Sequence, residues 1–166
     1  MSLKCLSCHH QKASLQCGLC EGALCKKCVQ TLAKDSFSLW ETIPELLRHH
    51  HYCIPCFQKS VATPLADYEN TLRLAEGVFV FEKSKSEETR LFNRSQKPLR
   101  VEDCADERDT LMRLAFQAAK LGCNTLIDVE IRSKKVRNAG YQTTRWSGSG
   151  IPSVVATDWL KKTENR

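Results

Sequence analysis

Apolar positions change their spacing along this chain, and each spacing predicts a different element. Leu65, Tyr68, Leu72 and Ala75 fall three or four residues apart, after Thr63-Pro64 and before Gly77. That is the form of a capped amphipathic helix, with an N-cap, proline at the first position, one apolar stripe and glycine past the end. Leu111, Leu114, Ala115 and Ala118 repeat the helical spacing between Asp106 and Leu121, and Gly122 stands where a helix stops. Elsewhere the period shortens. Val78-Phe-Val-Phe81 and Thr89-Arg-Leu-Phe92 are β-prone runs separated by the polar stretch 83–88, which predicts a hairpin or two successive strands. Ile127, Val129 and Ile131 alternate with Asp128 and Glu130, as in a strand with one buried face, and further strands are expected near Tyr141–Trp146 and Val154–Thr157. The expectation is an α+β fold in which an antiparallel sheet over residues 78–162 is covered by one main helix, reached through a connecting helix at 61–77.

The first sixty residues carry a weaker apolar pattern. Val29, Leu32 and Ala33 have helical spacing, and Thr42-Ile-Pro-Glu45 has the form of an N-cap with proline in the first turn before Leu46 and Leu47. One or two helices are therefore expected between Val29 and His51. Phe37, Leu39 and Trp40 are either core or an exposed patch, and large apolar residues favour core. A segment of about 60 residues buries too little apolar surface to fold securely alone.

Cysteine placement supplies the missing stabiliser. Eight of the ten cysteines lie between Cys5 and Cys56, in four pairs with two residues between partners: Cys5/Cys8, Cys17/Cys20, Cys25/Cys28 and Cys53/Cys56. Two intervening residues form a tight turn that presents both sulfurs to one ion, so four pairs complete two tetrahedral shells. The expected cofactor is Zn(2+), two ions per chain. The sequential and the interleaved pairing of knuckles to ions use the same residues. The short gap between Cys20 and Cys25 favours the interleaved one, with Cys5, Cys8, Cys25 and Cys28 on the first ion and Cys17, Cys20, Cys53 and Cys56 on the second. His9, His10, His49, His50 and His51 could each replace a thiolate, but the sulfur set is complete without them. Cys104 and Cys123 have no partner at ligand spacing, and Cys123 reads as a small buried residue.

The formal charge of +6 invites a polyanion partner. Eight thiolates on two divalent ions would bring the holo-chain to about +2, so charge alone makes no case for nucleic acid. The opening Met1-Ser-Leu-Lys-Cys5 has no apolar core of signal type, and no stretch has the roughly 18 apolar residues of a membrane span. The expectation is a soluble cytoplasmic protein, in whose reducing surroundings clustered cysteines are metal ligands rather than disulfides.

The cysteine frame, with Cys17-Gly-Leu-Cys-Glu-Gly-Ala-Leu-Cys-Lys-Lys-Cys28 at its centre, resembles the cross-brace fingers of treble-clef type, most closely FYVE and B-box modules. It departs from the group at the residues that carry recognition. The basic run before the third cysteine that reads phosphoinositides in FYVE fingers is absent, because Ala13-Ser-Leu-Gln16 stands there. The central histidine ligand of RING fingers is also missing. Farther on, Leu114 to Ile131, followed by Gly140 and Ser147-Gly-Ser-Gly-Ile151, resembles the YbjQ-like family of small bacterial α+β domains. That resemblance implies a helix on an antiparallel sheet and ring-like homo-oligomers, in a family sometimes described as heavy-metal binding.

Three functions follow as expectations. The first is a non-catalytic adaptor, with a zinc finger at 1–60 for docking a protein partner and an oligomerising domain at 78–162. The alternative is nucleic-acid binding through the finger, with Lys26 and Lys27, and the cluster Arg132-Ser-Lys-Lys-Val-Arg137, expected as a basic loop between strands. An enzyme is the least favoured, since no nucleophile with a nearby base and no open metal position is apparent. Ser147-Gly-Ser-Gly150 lacks the lysine and following helix of a phosphate loop and is expected as a flexible strand-end turn.

Overall fold

A computed structural model of the chain describes residues 4–10, 12–85, 87–158 and 160. They form a mixed α+β structure in two compact units, Met1–Glu69 and Asn70–Arg166.

In the first unit, β1 (Leu15–Gln16) pairs with β2 (Ala23–Leu24) and β3 (Gln30–Thr31) with β4 (His51–Tyr52), both antiparallel. Helix α1 (Ile54–Ser60) follows β4 directly, with Cys53 as its N-cap and Pro55 in its first turn, where no backbone donor is needed. After a break at Val61, α2 (Ala62–Glu76) begins, so Thr63 lies inside the helix rather than capping it. The expected helices between Val29 and His51 are replaced by turns and a single 3-10 turn at Glu45–Leu47. The backbone donors explain this. Leu32 N–H bonds to the His50 carbonyl at 2.9 Å, so the chain leaving β3 is tied to the strand opposite rather than to its own next turn. Phe37 is core, tilted against Trp40 and edge-on to Tyr68 at centroid distances of 4.8 and 5.2 Å. Tyr52 is wholly buried and donates its hydroxyl to the Leu46 carbonyl at 2.9 Å.

The second unit is a four-stranded sheet in the order β5-β7-β8-β6, where β5 is Phe79–Glu82, β6 is Leu99–Cys104, β7 is Thr125–Asn138 and β8 is Tyr141–Ser153. The β6-β8-β7 part is antiparallel, and β5 joins β7 in parallel. The expected strand at Thr89–Phe92 is instead a turn that lays Phe92 edge-on against Phe81 at 5.5 Å. Phe92 covers the sheet instead of extending it, while Leu91 is exposed. The expected strand at Val154–Thr157 is also missing. Val155 spends its donor and acceptor on the Asn124 side chain, at 2.9 and 2.8 Å, and has none left for a ladder.

Helix α3 (Glu107–Lys120) begins and ends by local chemistry. Asp106 accepts from Asp109 N–H at 2.7 Å while the Asp109 carboxylate accepts from Ala105 N–H at 3.0 Å. At the other end Gly122 takes φ 75°, and Cys123 N–H returns to the Ala118 carbonyl at 2.9 Å.

The alternation at Ile127, Val129 and Ile131 is broken by a bulge. Asp128 sits at φ 53°, and the register slips between Ile127 and Glu130. Ile127 therefore packs with Phe81 and Leu160, whereas Val129 turns to the α3 side, beside Gly150. One residue of slip sends two neighbouring apolar positions to opposite faces, and both faces are covered. The Ser147–Gly150 stretch lies inside β8, not in a turn. An added Cβ at Gly148 would meet Thr110 Cγ2 of α3 at 2.7 Å, so glycine here admits the helix to close range.

Candidate metal centre

Each cysteine pair sits where a short strand turns. Cys17 and Cys20 occupy the β1–β2 connection, with Glu21 N–H bonded to the Cys17 carbonyl at 3.0 Å and Cys17 N–H to the Gly22 carbonyl at 2.9 Å. Cys5 and Cys8 form the same turn, closed by His9 N–H on the Cys5 carbonyl at 2.9 Å. The residue after each of these two pairs adopts a left-handed conformation, His9 at φ 57° and Glu21 at φ 58°. Such a turn leaves the intervening N–H groups pointing at the sulfur rather than at a helical partner.

Strand pairing then brings distant pairs together. Leu6 N–H bonds to the Ala23 carbonyl at 2.8 Å, which sets the Cys5/Cys8 turn beside the strand leading into Cys25. Gly18 N–H bonds to the His51 carbonyl at 2.9 Å, which sets the Cys17/Cys20 turn beside the strand leading into Cys53. The outcome is two groups of four: Cys5, Cys8, Cys25 and Cys28, and Cys17, Cys20, Cys53 and Cys56, with the sulfurs of each group all within 4.8 Å of one another. Either group could hold a metal ion.

The spacing of the sulfurs tests that fit. A tetrahedral ion with metal–sulfur bonds of about 2.3 Å separates its sulfurs by about 3.8 Å. Cys8 Sγ and Cys25 Sγ stand 3.9 Å apart, and Cys20 Sγ and Cys53 Sγ 3.7 Å. A disulfide needs about 2.05 Å, and all ten cysteines are free.

Charge makes the same point. The Cys5 thiol is lowered to about 6, chiefly by the Cys8 backbone N–H and further by the amides of Cys25 and Ser7. At Cys17 burial acts upward most strongly, yet the N–H groups of Cys20, Cys53 and Leu19 together bring it down to about 6. Cys28 is pushed up to about 12, first through its hydrogen bond to the Cys25 sulfur, and Cys56 up to about 12, first through its bond to Cys53. Burial raises Cys53 as well. Each quartet thus holds a sulfur prepared to ionise beside one that keeps its proton, chiefly because that proton is shared in a hydrogen bond with a neighbouring sulfur. A divalent cation at the centre removes that conflict.

Among the described residues the histidines stand outside both groups. His50 Nδ1 bonds to the Leu32 carbonyl. The His49 ring packs on Gly18, where any Cβ would overlap it. Cys104 and Cys123 are buried and apart from the clusters, and burial raises the Cys123 thiol. Gly18 was not legible as a site residue, since its glycine signal reports a neighbour that only the fold supplies.

Lys26 and Lys27 are exposed on the third knuckle. The Arg132–Arg137 run, expected as a loop, lies within β7, and its residues are exposed. Among the described residues no helix is long and apolar enough to cross a membrane. Comparison with family models, with curated proteins and with solved structures finds nothing that matches this chain.

Proposed function

We propose that the first unit is a structural finger holding two zinc ions, and that the protein is a non-catalytic adaptor which docks a protein partner through it. The observation that carries this reading is the pair of thiol quartets at tetrahedral spacing, 3.9 and 3.7 Å between sulfurs of different knuckles. Four thiolates complete the shell of a zinc ion, and a closed shell is structural because catalytic zinc keeps a position for water or substrate. Iron accepts the same tetrahedral sulfur set, but it would colour the protein, whereas zinc is colourless. The interleaved grouping supports the likeness to cross-brace fingers. Free thiols in this number fit a reducing compartment such as the cytoplasm.

In this reading the second unit gathers several copies, as its resemblance to YbjQ-like domains implies, so that weak docking by each finger adds up. Its sheet supports this by ending in two edge strands, β5 and β6, the positions at which a further strand can add. Native mass spectrometry of the reduced protein tests the assembly. An oligomer with two zinc ions per subunit is expected; a monomer at micromolar concentration removes the avidity argument.

A further inference from the structure

We infer that the far end of the β7–β8 hairpin is a basic arm that grips double-stranded nucleic acid by its phosphate backbones. The inference goes beyond the adaptor reading and does not depend on it, since the arm lies outside both cysteine groups.

The pairing pattern isolates the arm. Strand β5 keeps register with β7 only as far as Val129, and β6 with β8 only as far as Trp146. From Lys134 to Asn138 and from Tyr141 to Arg145 the two strands pair with each other alone. Residues 132–137 and 139–145 are all exposed. At about 3.4 Å per residue the free ribbon extends on the order of 17 Å. Ala139 at φ 46° and Gly140 at φ 88° close it with the two-residue turn whose twist suits a hairpin. A ribbon with no core on either face gains little from burial, so its side chains answer to something other than folding.

Those side chains are of one sign. No acidic residue occurs between Glu130 and Asp158, whereas Arg132, Lys134, Lys135, Arg137 and Arg145 all fall there. Arg132 reaches back to Glu130 at 2.6 Å. The other four make no ion pair among the described residues. Lys134 stands directly opposite Arg145, and like charges so placed weaken a strand pair. An anionic partner turns that cost into attraction. The modest charge of the whole chain conceals this, because it averages the arm with acidic surface elsewhere.

Alternation then chooses among anions. The register puts Arg132, Lys134 and Arg145 on one face, and Lys135 and Arg137 on the other. A flat acidic surface, whether of a membrane or a protein, meets one face only. A groove walled by two phosphate strands meets both. The major groove of a duplex, about 12 Å wide, admits a two-stranded ribbon. The arm's large apolar residues are Val136 and Tyr141, too few for entry into a bilayer.

The test is fluorescence anisotropy of the full-length, metal-loaded protein with a labelled mixed-sequence duplex of about 20 base pairs. With about four phosphate contacts, affinity should fall on the order of a hundredfold between about 50 and about 200 mM salt. Lys134→Ala with Arg145→Ala, and separately Lys135→Ala with Arg137→Ala, should each weaken binding and lower the salt slope by about 2. Lys120→Ala, at the exposed end of α3, should change neither. Circular dichroism and the metal content of each variant confirm that it is folded. Binding that survives both double substitutions, or responds to one face only, overturns the inference. So does stronger binding to phosphatidylserine vesicles than to the duplex.

Discussion

Replacing Gly148 with alanine puts a methyl group between β8 and α3. The new Cβ would lie 2.7 Å from Thr110 Cγ2 and 3.2 Å from Leu114 Cδ1, inside the 3.5 to 4.0 Å at which carbon atoms attract. Thr110 cannot swing aside, because it is wholly buried and its hydroxyl is held by the Asp106 carbonyl at 2.7 Å. Forcing a methyl into such a site costs about 1–3 kcal/mol. Alanine recovers about 0.5–1 kcal/mol of backbone entropy over glycine, which leaves a net loss of about 1 kcal/mol at the middle of both ranges. Thr110→Ser deletes the offending methyl and keeps the hydroxyl, so the double variant should regain more than half of the loss. Hydrogen exchange of the α3 and β7 amides reads the opening free energy of this unit by itself. A Gly148→Ala protein as stable as the parent, or a double variant whose losses simply add, would refute the close approach.

Other consequences can be checked as directly. Cys17→Ser should cost one of the two ions and expose the amides of β1 to β4 to exchange, while those of α3 remain protected; loss of protection in both units would contradict their independence. Metal binding to the reduced apo-protein at pH 7.5 should release at least the protons of Cys28, Cys53 and Cys56, whose thiols are raised. The metal's stabilisation is therefore greatest in alkali and wanes as pH falls, more steeply below about 6, where Cys5 and Cys17 also take protons. An indicator-dye titration that found no proton release would refute this. Arg94→Ala removes the guanidinium that joins the Thr89 carbonyl, at 2.8 Å, to the Asp128 carboxylate, at 3.1 Å. It should lower the stability of the second unit by about 1–2 kcal/mol in thermal unfolding, and an unchanged midpoint would show that the loop holds without it.

What the sequence revealed and what it hid divide along the range of the interactions involved. Helix α3 was legible because Leu111, Leu114, Ala115 and Ala118 recur at the spacing of one helix face and Gly122 acts within one turn of its end. The cysteine pairs were legible because two-residue spacing is a property of a single turn, whereas the short gap after Cys20 favoured the observed grouping without excluding the sequential one. The region 29–51 misled, since its apolar spacing is helical while Gln30 to Leu32 are tied to the strand opposite and the donors of Ser36, Ser38 and Trp40 close only single turns. Helix α1 was overlooked between the last knuckle and the longer helix behind it, although Pro55 is suited to a first turn. The bulge at Asp128 leaves no trace in composition, because a non-glycine residue adopts the left-handed conformation there. Two stretches did carry a usable signal. Asn138-Ala-Gly-Tyr141 between alternating runs marks a two-residue hairpin, and Gly148 and Gly150, two apart, mark one face of a strand pressed close by its neighbour.

The central claim is that two quartets of sulfur hold two zinc ions, and that these give the first unit its structure. Elemental analysis of the reduced protein, paired with hydrogen exchange before and after a chelator, tests it most directly. Two zinc atoms per chain and a chelator-dependent loss of protection confined to β1 through β4 are the results expected. A first unit that stays protected without metal, or knuckles joined by disulfides, would contradict it.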